Sequence, residues 1–418
     1  MPRTVVIVGT LDTKGADLQL LRDLIEARGL QTLVVDFGVL GDPAFPPDIS
    51  AAQVAQAGGE DLAALRVARD KTRAMRAMER GLTAIVRELF ATGRLDGIVG
   101  MAGGGGTSIA TAAMRQLPVG VPKLMVSSVV ATGDVRQFVD TRDITLMPSV
   151  VDIAGVNSIS RRIYANAAGA IAGMVEQVLP IEQSGRPTIV ASMFGNTTPC
   201  VTRARELLEA LGYEVLVFHA TGSGGRTMEA LIEAGFVTAC FDVTTTELAD
   251  EVCGGVMSAG PERLMAAACA GIPTVIAPGC VDMVNFWARD TLPAFYRDRH
   301  LYEWNPNTTL MRTNVEENRQ IGEWIARAAN AARGPVAVLL PLRGVSQLDS
   351  PGGAFWDPDA DAACFDTIRT YLRPGIPLIE VDANINDSEF AERAVKVLLE
   401  MMAARHAGPS HDTTMSSG

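Results

Sequence analysis

The first part of the chain alternates short apolar runs with longer amphipathic stretches, which predicts strands and helices in turn. Strands are predicted at Thr4–Gly9 and Gln31–Asp36, and near residues 96–100 and 122–126. Helices are predicted over residues 17–28, 60–91 and 159–178, where apolar side chains recur at helical spacing. Strands and helices in this order are typical of an α/β fold with a doubly wound parallel sheet.

The second part of the chain repeats this pattern after a short polar break at residues 180–187. The segment TIVASMFGN, from Thr188, parallels TVVIVGTLD, from Thr4. Further on, AGIPTVIAPG, from Ala270, parallels VGVPKLMVSS, from Val119. The likeness lies in the pattern more than in the residues, and it predicts two related α/β domains that arose by duplication.

A chain of 418 residues is long enough for two or three domains. We predict an N-terminal domain over residues 1–183 and a C-terminal domain over residues 187–405. Two such domains would face each other across a cleft, where ligands preferentially bind. The polar tail, residues 406–418, is predicted to be disordered.

A run of four glycines lies between a predicted strand and a predicted helix that begins near Thr107. The four glycines are Gly103, Gly104, Gly105 and Gly106. Without side chains, the backbone can bend freely and a ligand can approach the N–H groups at the helix N-terminus. These donors and the helix dipole predict an anion site, with phosphate as the first candidate, although a carboxylate also fits. The alternative is that the glycines only relieve crowding where the helix packs on the sheet.

A second polar turn, GTLDTKG, follows the first strand and begins at Gly9. It lacks the spacing of a P-loop, but Thr10, Asp12, Thr13 and Lys14 lie where a first strand ends and a helix begins. Lys14 could neutralise phosphate, and Asp12 could hold a metal or a hydroxyl. Alternatively, Asp12 or Thr13 caps the helix while Lys14 is solvated.

Two further strand ends carry polar side chains. Asp36 closes the second strand, where a carboxylate can accept from ribose hydroxyls, although a turn-forming aspartate explains it as well. The segment SSVVATGD follows the strand after the glycine run, and we expect its polar positions to form a site rim: Ser127, Ser128, Thr132, Gly133 and Asp134. Taken singly, each is also explained as a turn residue.

The second half offers titratable groups at strand ends. His219 is a candidate general base, with a merely structural role as the alternative. A second anion pocket is predicted at the glycines that follow it, Gly222, Gly224 and Gly225. Asp242 is predicted to lie at the next strand end, close to Glu247. The long loop that begins near Arg343 suits a ligand lid, and its carboxylates could bind Mg²⁺ through water.

Composition narrows the classes of function. The net charge of −12 argues against a broad nucleic-acid surface, which needs a clustered basic patch. The chain shows no signal peptide and no apolar run of membrane-spanning length, so we expect a cytoplasmic protein with no membrane partner. The six cysteines have no CxxC spacing, which indicates neither a disulfide scaffold nor a zinc site. Four arginines of the 60–91 stretch are predicted to form a solvated face, with a surface for a partner or an anionic ligand as the alternative: Arg69, Arg73, Arg76 and Arg80.

Four of these segments together resemble the family typified by the N-terminal region of the tomato mosaic virus resistance protein: GTLDTKG, MAGGGGTS, the SSVVATGD segment and FHATGSGGRTME. The resemblance extends to about residue 404. It implies two Rossmann-like domains, ATP binding with Mg²⁺ in the N-terminal domain, and a homodimer. The nucleotide would lie between residues 9–15 and 103–107, with residues 127, 128 and 131–134 as neighbours. The antiviral role is not carried over, because the plant protein has a further C-terminal region.

Three hypotheses about function follow. In the first, an ATP-dependent enzyme acts on a small acid or sugar acid, with His219, Asp242 and Arg343 as its catalytic residues. In the second, the protein is a nucleotide-binding interaction module without turnover. In the third, it is a hydrolase or lyase that needs no nucleotide. The polar and titratable second pocket favours the first hypothesis, and nothing in the sequence identifies the metal ligands.

Overall fold

The computed structural model describes residues 3–131, 133–177 and 186–406. The chain forms two compact units, Met1–Ile181 and Glu182–Gly418, called unit 1 and unit 2 below. Thr132, most of the predicted break at 180–187 and the tail beyond residue 406 lie outside the described residues.

Unit 1 is built on a five-stranded parallel sheet with the order β2-β1-β3-β4-β5. Its strands are β1 (Thr4–Gly9), β2 (Gln31–Asp36), β3 (Gly97–Ala102), β4 (Lys123–Ser127) and β5 (Thr145–Pro148). Its helices are α1 (Leu11–Glu26), α2 (Ala51–Ala57), α3 (Leu62–Ala68), α4 (Lys71–Ala91), α5 (Gly104–Met114), α6 (Arg136–Val139) and α7 (Ser158–Glu176).

Helices cover both faces of this sheet, because successive strand residues point to opposite sides and both sides are apolar. In β1, Val6 and Val8 belong to the core beneath α2, α4 and α5. Val5 and Ile7 belong to the core beneath α1 and α7. This arrangement confirms the doubly wound parallel sheet predicted from the sequence.

The prediction of one continuous helix over residues 60–91 is wrong, because the helical backbone is interrupted between α3 and α4. Arg69 ends α3 in the left-handed conformation, with φ of 51°. Asp70 then starts a new helix, and its side chain accepts a hydrogen bond from Arg73 N at 3.0 Å. This local cap satisfies an N–H group that has no partner within the helix, so it competes with continuation of the helical pattern.

Unit 2 is built on a six-stranded parallel sheet with the order β14-β13-β9-β8-β6-β7, and a three-stranded antiparallel sheet, β10-β12-β11, is inserted after β9. Its strands are β6 (Thr188–Met193), β7 (Glu214–His219), β8 (Ala239–Thr244), β9 (Thr274–Gly279), β10 (Met283–Phe286), β11 (Leu301–Asn305), β12 (Thr308–Arg312), β13 (Val336–Pro341) and β14 (Leu378–Val381). Its helices are α8 (Thr198–Ala210), α9 (Ser223–Glu233), α10 (Thr246–Cys253), α11 (Met265–Ala270), α12 (Val315–Asn330), α13 (Pro358–Tyr371) and α14 (Ser388–His406).

The two sheets begin with the same strand order. In unit 1 the first strand, β1, lies between the second and the third, and in unit 2 β6 lies between β7 and β8. This common order agrees with the predicted duplication. It also places a reversal of strand order beside the first strand of each unit, where open α/β sheets form a ligand crevice at their carboxyl ends.

All six cysteines are free, and only Cys269 is exposed. Across residues 3–131, 133–177 and 186–406, no helix is both long enough and apolar enough to cross a membrane.

Glycine lets α2 and α4 approach closely, and this contact yields a prediction about stability. A Cβ atom on Gly81 would lie 1.8 Å from the carbonyl oxygen of Val54. Gly81→Ala should therefore lower the free energy of unfolding of unit 1 by about 3 kcal/mol, because the two helices must move apart. Scanning calorimetry of the whole protein measures this loss.

Gly173→Ala is the matched control. Gly173 lies in α7, and a Cβ there would meet no atom within 4 Å. Since alanine favours the helical backbone, this variant should gain about 0.5–1 kcal/mol. Equal losses in the two variants would contradict the close-contact explanation.

Candidate functional site

A cleft of about 790 Å³ opens at the carboxyl edge of the unit 1 sheet, beside the reversal of strand order between β1 and β3. Its apolar lining comes from the segment after β2 and from α3, α4 and α5: Phe37, Val39, Leu40, Leu65, Ala74, Met75, Met78 and Ile109. Its polar lining is Thr10, Asp12, Thr13, Arg66, Arg69, Asp70, Lys71, Gly105 and Gly106. The cleft therefore combines apolar walls with a similar number of polar and charged residues.

The glycine run forms the uncapped N-terminus of α5. Gly103 is the N-cap residue and supplies no side-chain acceptor. In the described part of the chain, the N–H groups of Gly104, Gly105 and Gly106 donate to no acceptor. A helix N-terminus with free donors and a positive dipole end attracts an anion, and this one lines the cleft at Gly105 and Gly106.

The other helices that border the cleft have side-chain acceptors at their N-termini. The carboxylate of Asp36 accepts from Leu11 N, at the start of α1, at 3.0 Å. Asp61 caps α3 by accepting from Ala64 N at 2.8 Å, and Asp70 caps α4. The start of α5 is therefore the place where an added anion meets unsatisfied donors.

Thr107 and Ser127 hold the glycine turn against β4. Both side chains are buried, and their hydroxyl oxygens lie 2.7 Å apart. Ser127 Oγ also accepts from Val129 N at 3.2 Å. Ser128 is half-buried, and its Oγ lies 3.7 Å from the position of a Cβ on Gly103. The structure thus brings these three predicted residues together around the turn.

The first-strand turn presents hydroxyl and carboxyl oxygens to the cleft. The hydroxyl oxygens of Thr10 and Thr13 lie 2.8 Å apart. Asp12 Oδ2 accepts from Leu40 N at 2.7 Å and from Gly41 N at 3.1 Å. Asp12 Oδ1 is buried and has no hydrogen-bond partner among the described residues. One carboxylate oxygen of a residue that lines the cleft therefore lacks a hydrogen-bond partner in the described part of the chain.

Two other predicted residues serve the fold near the cleft. Lys14 Nζ donates to the carbonyl oxygen of Ile153, and Lys14 does not line the cleft. Asp36 is buried, and besides Leu11 N its Oδ1 accepts from Gly38 N at 2.9 Å. Burial raises the pKa of Asp36, while these two N–H groups oppose the rise. Asp36 thus matches the turn-forming alternative given by the sequence.

Gly9 and the turn after β4 do not line the cleft. A Cβ on Gly9 would lie 2.4 Å from Leu18 Cδ1, so this glycine allows α1 to pack on the strand end. Gly133 and Asp134 are exposed, and Asp134 forms an ion pair with Arg136. Hydrogen bonds from Arg136 lower the pKa of Asp134 to about 2. None of the described residues of the predicted rim lines the cleft; Ser127 and Ser128 only adjoin the glycine turn, and Thr132 lies outside the described residues.

Sequence reasoning missed the apolar walls and the cations at the cleft. Met75 and Met78 lie in the stretch for which the sequence predicts only a helix, yet both also line the cleft. The sequence favours a solvated face for Arg69, and Lys71 is not among the predicted site residues. The signal that could have found them is Asp70, because an aspartate followed by a helical stretch is a candidate N-cap.

In unit 2, the structure does not bring the predicted catalytic residues together. His219 is exposed at the end of β7, with its ring 5.2 Å from that of Phe194. Asp242 is buried, whereas Arg343 forms an exposed ion pair with Asp382 at 2.7 Å. No hydrogen bond or ion pair joins any two of His219, Asp242 and Arg343 in the residues described for unit 2.

The predicted second anion pocket is filled by a side chain of the protein itself. Glu247 Oε1 accepts from Gly222 N at 2.7 Å and from Gly225 N at 3.1 Å. Glu247 is fully buried, and a Cβ on Gly225 would lie 2.2 Å from its Oε2. The prediction that this turn is an open anion site is therefore wrong, because its donors already bind a carboxylate.

Arg263 connects Glu247 to two other carboxylates inside unit 2. Its Nε donates to Glu247 Oε2 at 2.6 Å, and its Nη2 donates to Asp242 Oδ1 at 2.7 Å. Glu229 lies 3.2 Å from Nη1. Burial lowers the pKa of Arg263, but the three carboxylates outweigh it and hold that pKa above its ordinary value. The cluster is consistent with a fixed structural role for Asp242.

The long loop at residues 342–357 is anchored by buried polar side chains rather than open. Ser346 Oγ donates to Asp282 Oδ2 at 2.8 Å, and Asp349 Oδ2 accepts from Val345 N at 2.8 Å. Both loop side chains are fully buried. Close by, Arg312 donates to Asp361 at 2.7 Å. These contacts fix the position of the loop, and its function as a ligand lid stays a prediction.

Comparison with known proteins shows matches along most of the chain. Residues 3–180 match the N-terminal domain of the family described as Uncharacterised protein family (UPF0261), and residues 186–402 match its C-terminal domain. A UPF0261 protein of Clostridium tetani is 47% identical over 403 residues, covering 96% of this chain and all of that protein.

Two other relatives come from a bacterium and a plant. UPF0261 protein RA0729 of Rhizobium meliloti is 48% identical over 396 residues, covering 94% of this chain and 98% of that protein. The ToMV resistance protein Tm-1(GCR237) of Solanum lycopersicum is 42% identical over 314 residues. That match covers 73% of this chain but only 42% of the plant protein.

The Arg263 cluster yields a prediction about stability. Arg263→Ala would leave three carboxylates buried without their counter-charge, so unit 2 should lose about 3–5 kcal/mol of unfolding free energy. All four tryptophans of the chain lie in unit 2, so tryptophan fluorescence during urea unfolding reports this unit. Arg289→Ala removes an exposed ion pair with Glu303, and it should change the free energy of unfolding little. Similar losses in both variants would contradict the special role of the buried cluster.

The buried aspartates yield a prediction about pH. Burial raises the pKa of Asp250 and of Asp282 to about 7, and that of Asp361 to about 9. Because the folded state binds these protons more tightly than the unfolded state does, unfolding free energy should fall as pH rises from about 4 to 9. Urea unfolding followed by tryptophan fluorescence at several pH values measures this slope.

Asp361→Asn keeps the oxygen that accepts from Arg312 but carries no titrating proton, so it should flatten the slope, most of all between pH 7 and 9. Asp359→Asn is the control, since Asp359 is exposed on the same helix. Stability that rose with pH across this window in the parent protein would contradict the assignment.

Proposed function

The chain belongs to the UPF0261 family, and we propose that its N-terminal unit binds ATP together with Mg²⁺. The observation that carries the proposal is the uncapped N-terminus of α5, whose free N–H groups face a cleft with apolar walls. The phosphates would accept hydrogen bonds from the glycine N–H groups, which is a common mode of phosphate binding in α/β folds.

The size and lining of the cleft suit a nucleotide. Its volume of about 790 Å³ lies within the range of small-molecule sites, about 300–1,000 Å³. Val39, Leu40 and Met75 line the cleft without being buried, and they offer an apolar surface for the flat faces of a base. The hydroxyls of Thr10 and Thr13 add polar partners on the side of the first-strand turn. These features support a ligand that is apolar at one end and anionic at the other.

The residues present also fit a magnesium ion that arrives with the nucleotide. Within the described ranges, no group of three or more His, Cys, Asp or Glu side chains could hold a metal ion alone. Mg²⁺ is commonly bound by one or two carboxylates together with waters and substrate phosphates. Asp12 Oδ1, buried and unpartnered in the cleft lining, would be its protein ligand, directly or through water. The bound ion would supply positive charge beside the phosphates.

Two interpretations of the bound ATP follow from unit 2. If the protein is an enzyme, ATP is consumed in a reaction of a small acid or sugar acid, and His219, Asp242 and Arg343 are its predicted catalytic residues. If it is an interaction module, ATP sets a conformation that a partner protein recognises. The second interpretation is favoured by the separation of the three residues and by Glu247, which occupies the second glycine turn. The homodimer and the cytoplasmic location stay predictions.

The proposal is tested by calorimetric titration of the whole protein with ATP and Mg²⁺. The double variant Gly104→Asp, Gly105→Asp should lose at least about 100-fold in affinity, because two carboxylates at the helix start repel phosphate. Both glycines are exposed, and Cβ atoms there would be at 3.4 Å or more from their neighbours. Carboxylates in a first helical turn also suit the dipole, so the fold should persist.

Gly173→Asp is the control, because it adds a carboxylate to an exposed position of α7 that is not part of the cleft lining. It should bind ATP as the parent does. Absence of ATP binding by the parent protein would overturn the proposal and favour a hydrolase or lyase that needs no nucleotide. Unchanged binding by the double variant would move the site away from the glycine turn.

A further inference from the structure

The cleft carries two cations that no described residue neutralises. Arg69 and Lys71 both line it, and neither forms an ion pair or a side-chain hydrogen bond within the described ranges. Other cations nearby are engaged: Arg66 donates to the carbonyl oxygen of Val39 at 3.1 Å, and Arg73 pairs with Glu60 at 2.7 Å. The break between α3 and α4 therefore presents two available positive charges to the ligand.

We propose that Arg69 and Lys71 bind the phosphates beyond the first and so select a nucleoside triphosphate over a monophosphate. This inference rests on the proposed nucleotide function and names the class of nucleotide that the same cleft prefers. A monophosphate has no phosphate beyond the one at the glycine turn, whereas a triphosphate has two more, whose oxygens can accept hydrogen bonds from the two cations even with Mg²⁺ bound.

The position of Lys71 relative to the glycine turn supports this assignment. A Cβ on Gly105 would lie 3.4 Å from Met75 Cε, so the Met75 side chain contacts the turn. Lys71 precedes Met75 by four residues on α4 and therefore lies on the same helix face. Side chains on a helix lean toward the N-terminus of that helix. The Lys71 ammonium is therefore expected to lie past the glycine turn and not over it. The phosphates nearest the base would then meet Gly105 and Gly106, and the later ones would meet the cations.

The backbone at Arg69 supports a role for its side chain. A left-handed conformation is unfavourable for residues with a Cβ, and glycine is the usual residue at such helix ends. Arg69 nevertheless adopts it, with φ of 51° and ψ of 23°. The conformation places a guanidinium at the cleft, and the planar guanidinium donates several hydrogen bonds to phosphate oxygens. Glycine at this position would keep the turn and remove only the donor.

The experiment compares ATP, ADP, AMP and inorganic tripolyphosphate, each with Mg²⁺, by titration of the whole protein. The variants are Arg69→Gly and Lys71→Gln, and Arg76→Gln is the control because Arg76 is exposed on α4 outside the cleft lining. Each cleft variant should weaken ATP and tripolyphosphate binding about tenfold, the size expected for one hydrogen bond to a charged group. AMP binding should change less than about twofold.

Thermal unfolding of Arg69→Gly provides a second readout. Its melting temperature should equal or exceed that of the parent, since glycine adopts the left-handed conformation without strain. A lower affinity for ATP together with unchanged or higher stability would separate ligand binding from a structural role. A clear fall in melting temperature would instead show that Arg69 acts on the fold, and would overturn its part of the proposal.

The outcomes also distinguish this inference from the proposed function. Equal losses for AMP and ATP, or no loss for either, would overturn the selection of triphosphates while ATP binding itself stood. If the parent bound tripolyphosphate but not ATP, and the cleft variants lost that binding, the nucleotide function would fail and the role of the two cations would stand. If the parent bound neither ligand, both would fail.

Discussion

Backbone N–H groups at the start of a helix need acceptors, and this requirement shapes the carboxyl edge of both sheets. Unit 2 meets it with its own side chain, since Glu247 accepts from Gly222 N and Gly225 N. Unit 1 leaves the donors of Gly104, Gly105 and Gly106 without an acceptor in its described part. The two glycine turns are similar in composition, yet one is closed by a buried carboxylate and the other opens into a cleft.

The closed turn explains why unit 2 buries so much charge. A carboxylate removed from water needs a partner, and Glu247 obtains one from Arg263 on its second oxygen. The guanidinium then has donors left over, which Asp242 and Glu229 accept. Each buried group therefore depends on the next, and Asp242 is held by this network at the strand end where sequence reasoning expected catalysis. In unit 1 a ligand would take the place that Glu247 occupies in unit 2.

The sheet, the glycine turn and the residues beside it could be predicted because their signals are local. The run of glycines after an apolar strand indicates a turn wherever it occurs, and the polar residues after β1 and β4 follow from the same argument. The contacts of Lys14 and Glu247 could not be predicted, because each depends on residues far away along the chain. Lys14 donates to Ile153, for example, and Glu247 binds a turn more than 20 residues earlier.

The break at Arg69 shows how a local signal can outweigh a longer one. Apolar residues recur at helical spacing on both sides of it, so periodicity alone favours a continuous helix. The cap formed by Asp70 satisfies one N–H donor, which stabilises less than a full helical turn would. The left-handed conformation of Arg69, just before the cap, also redirects the chain. Only this redirection brings the two cations into the cleft lining, since residues 69 and 71 on a continuous helix would lie about 200° apart around its axis. The same break therefore made the helix prediction wrong and assembled the most positively charged part of the candidate site.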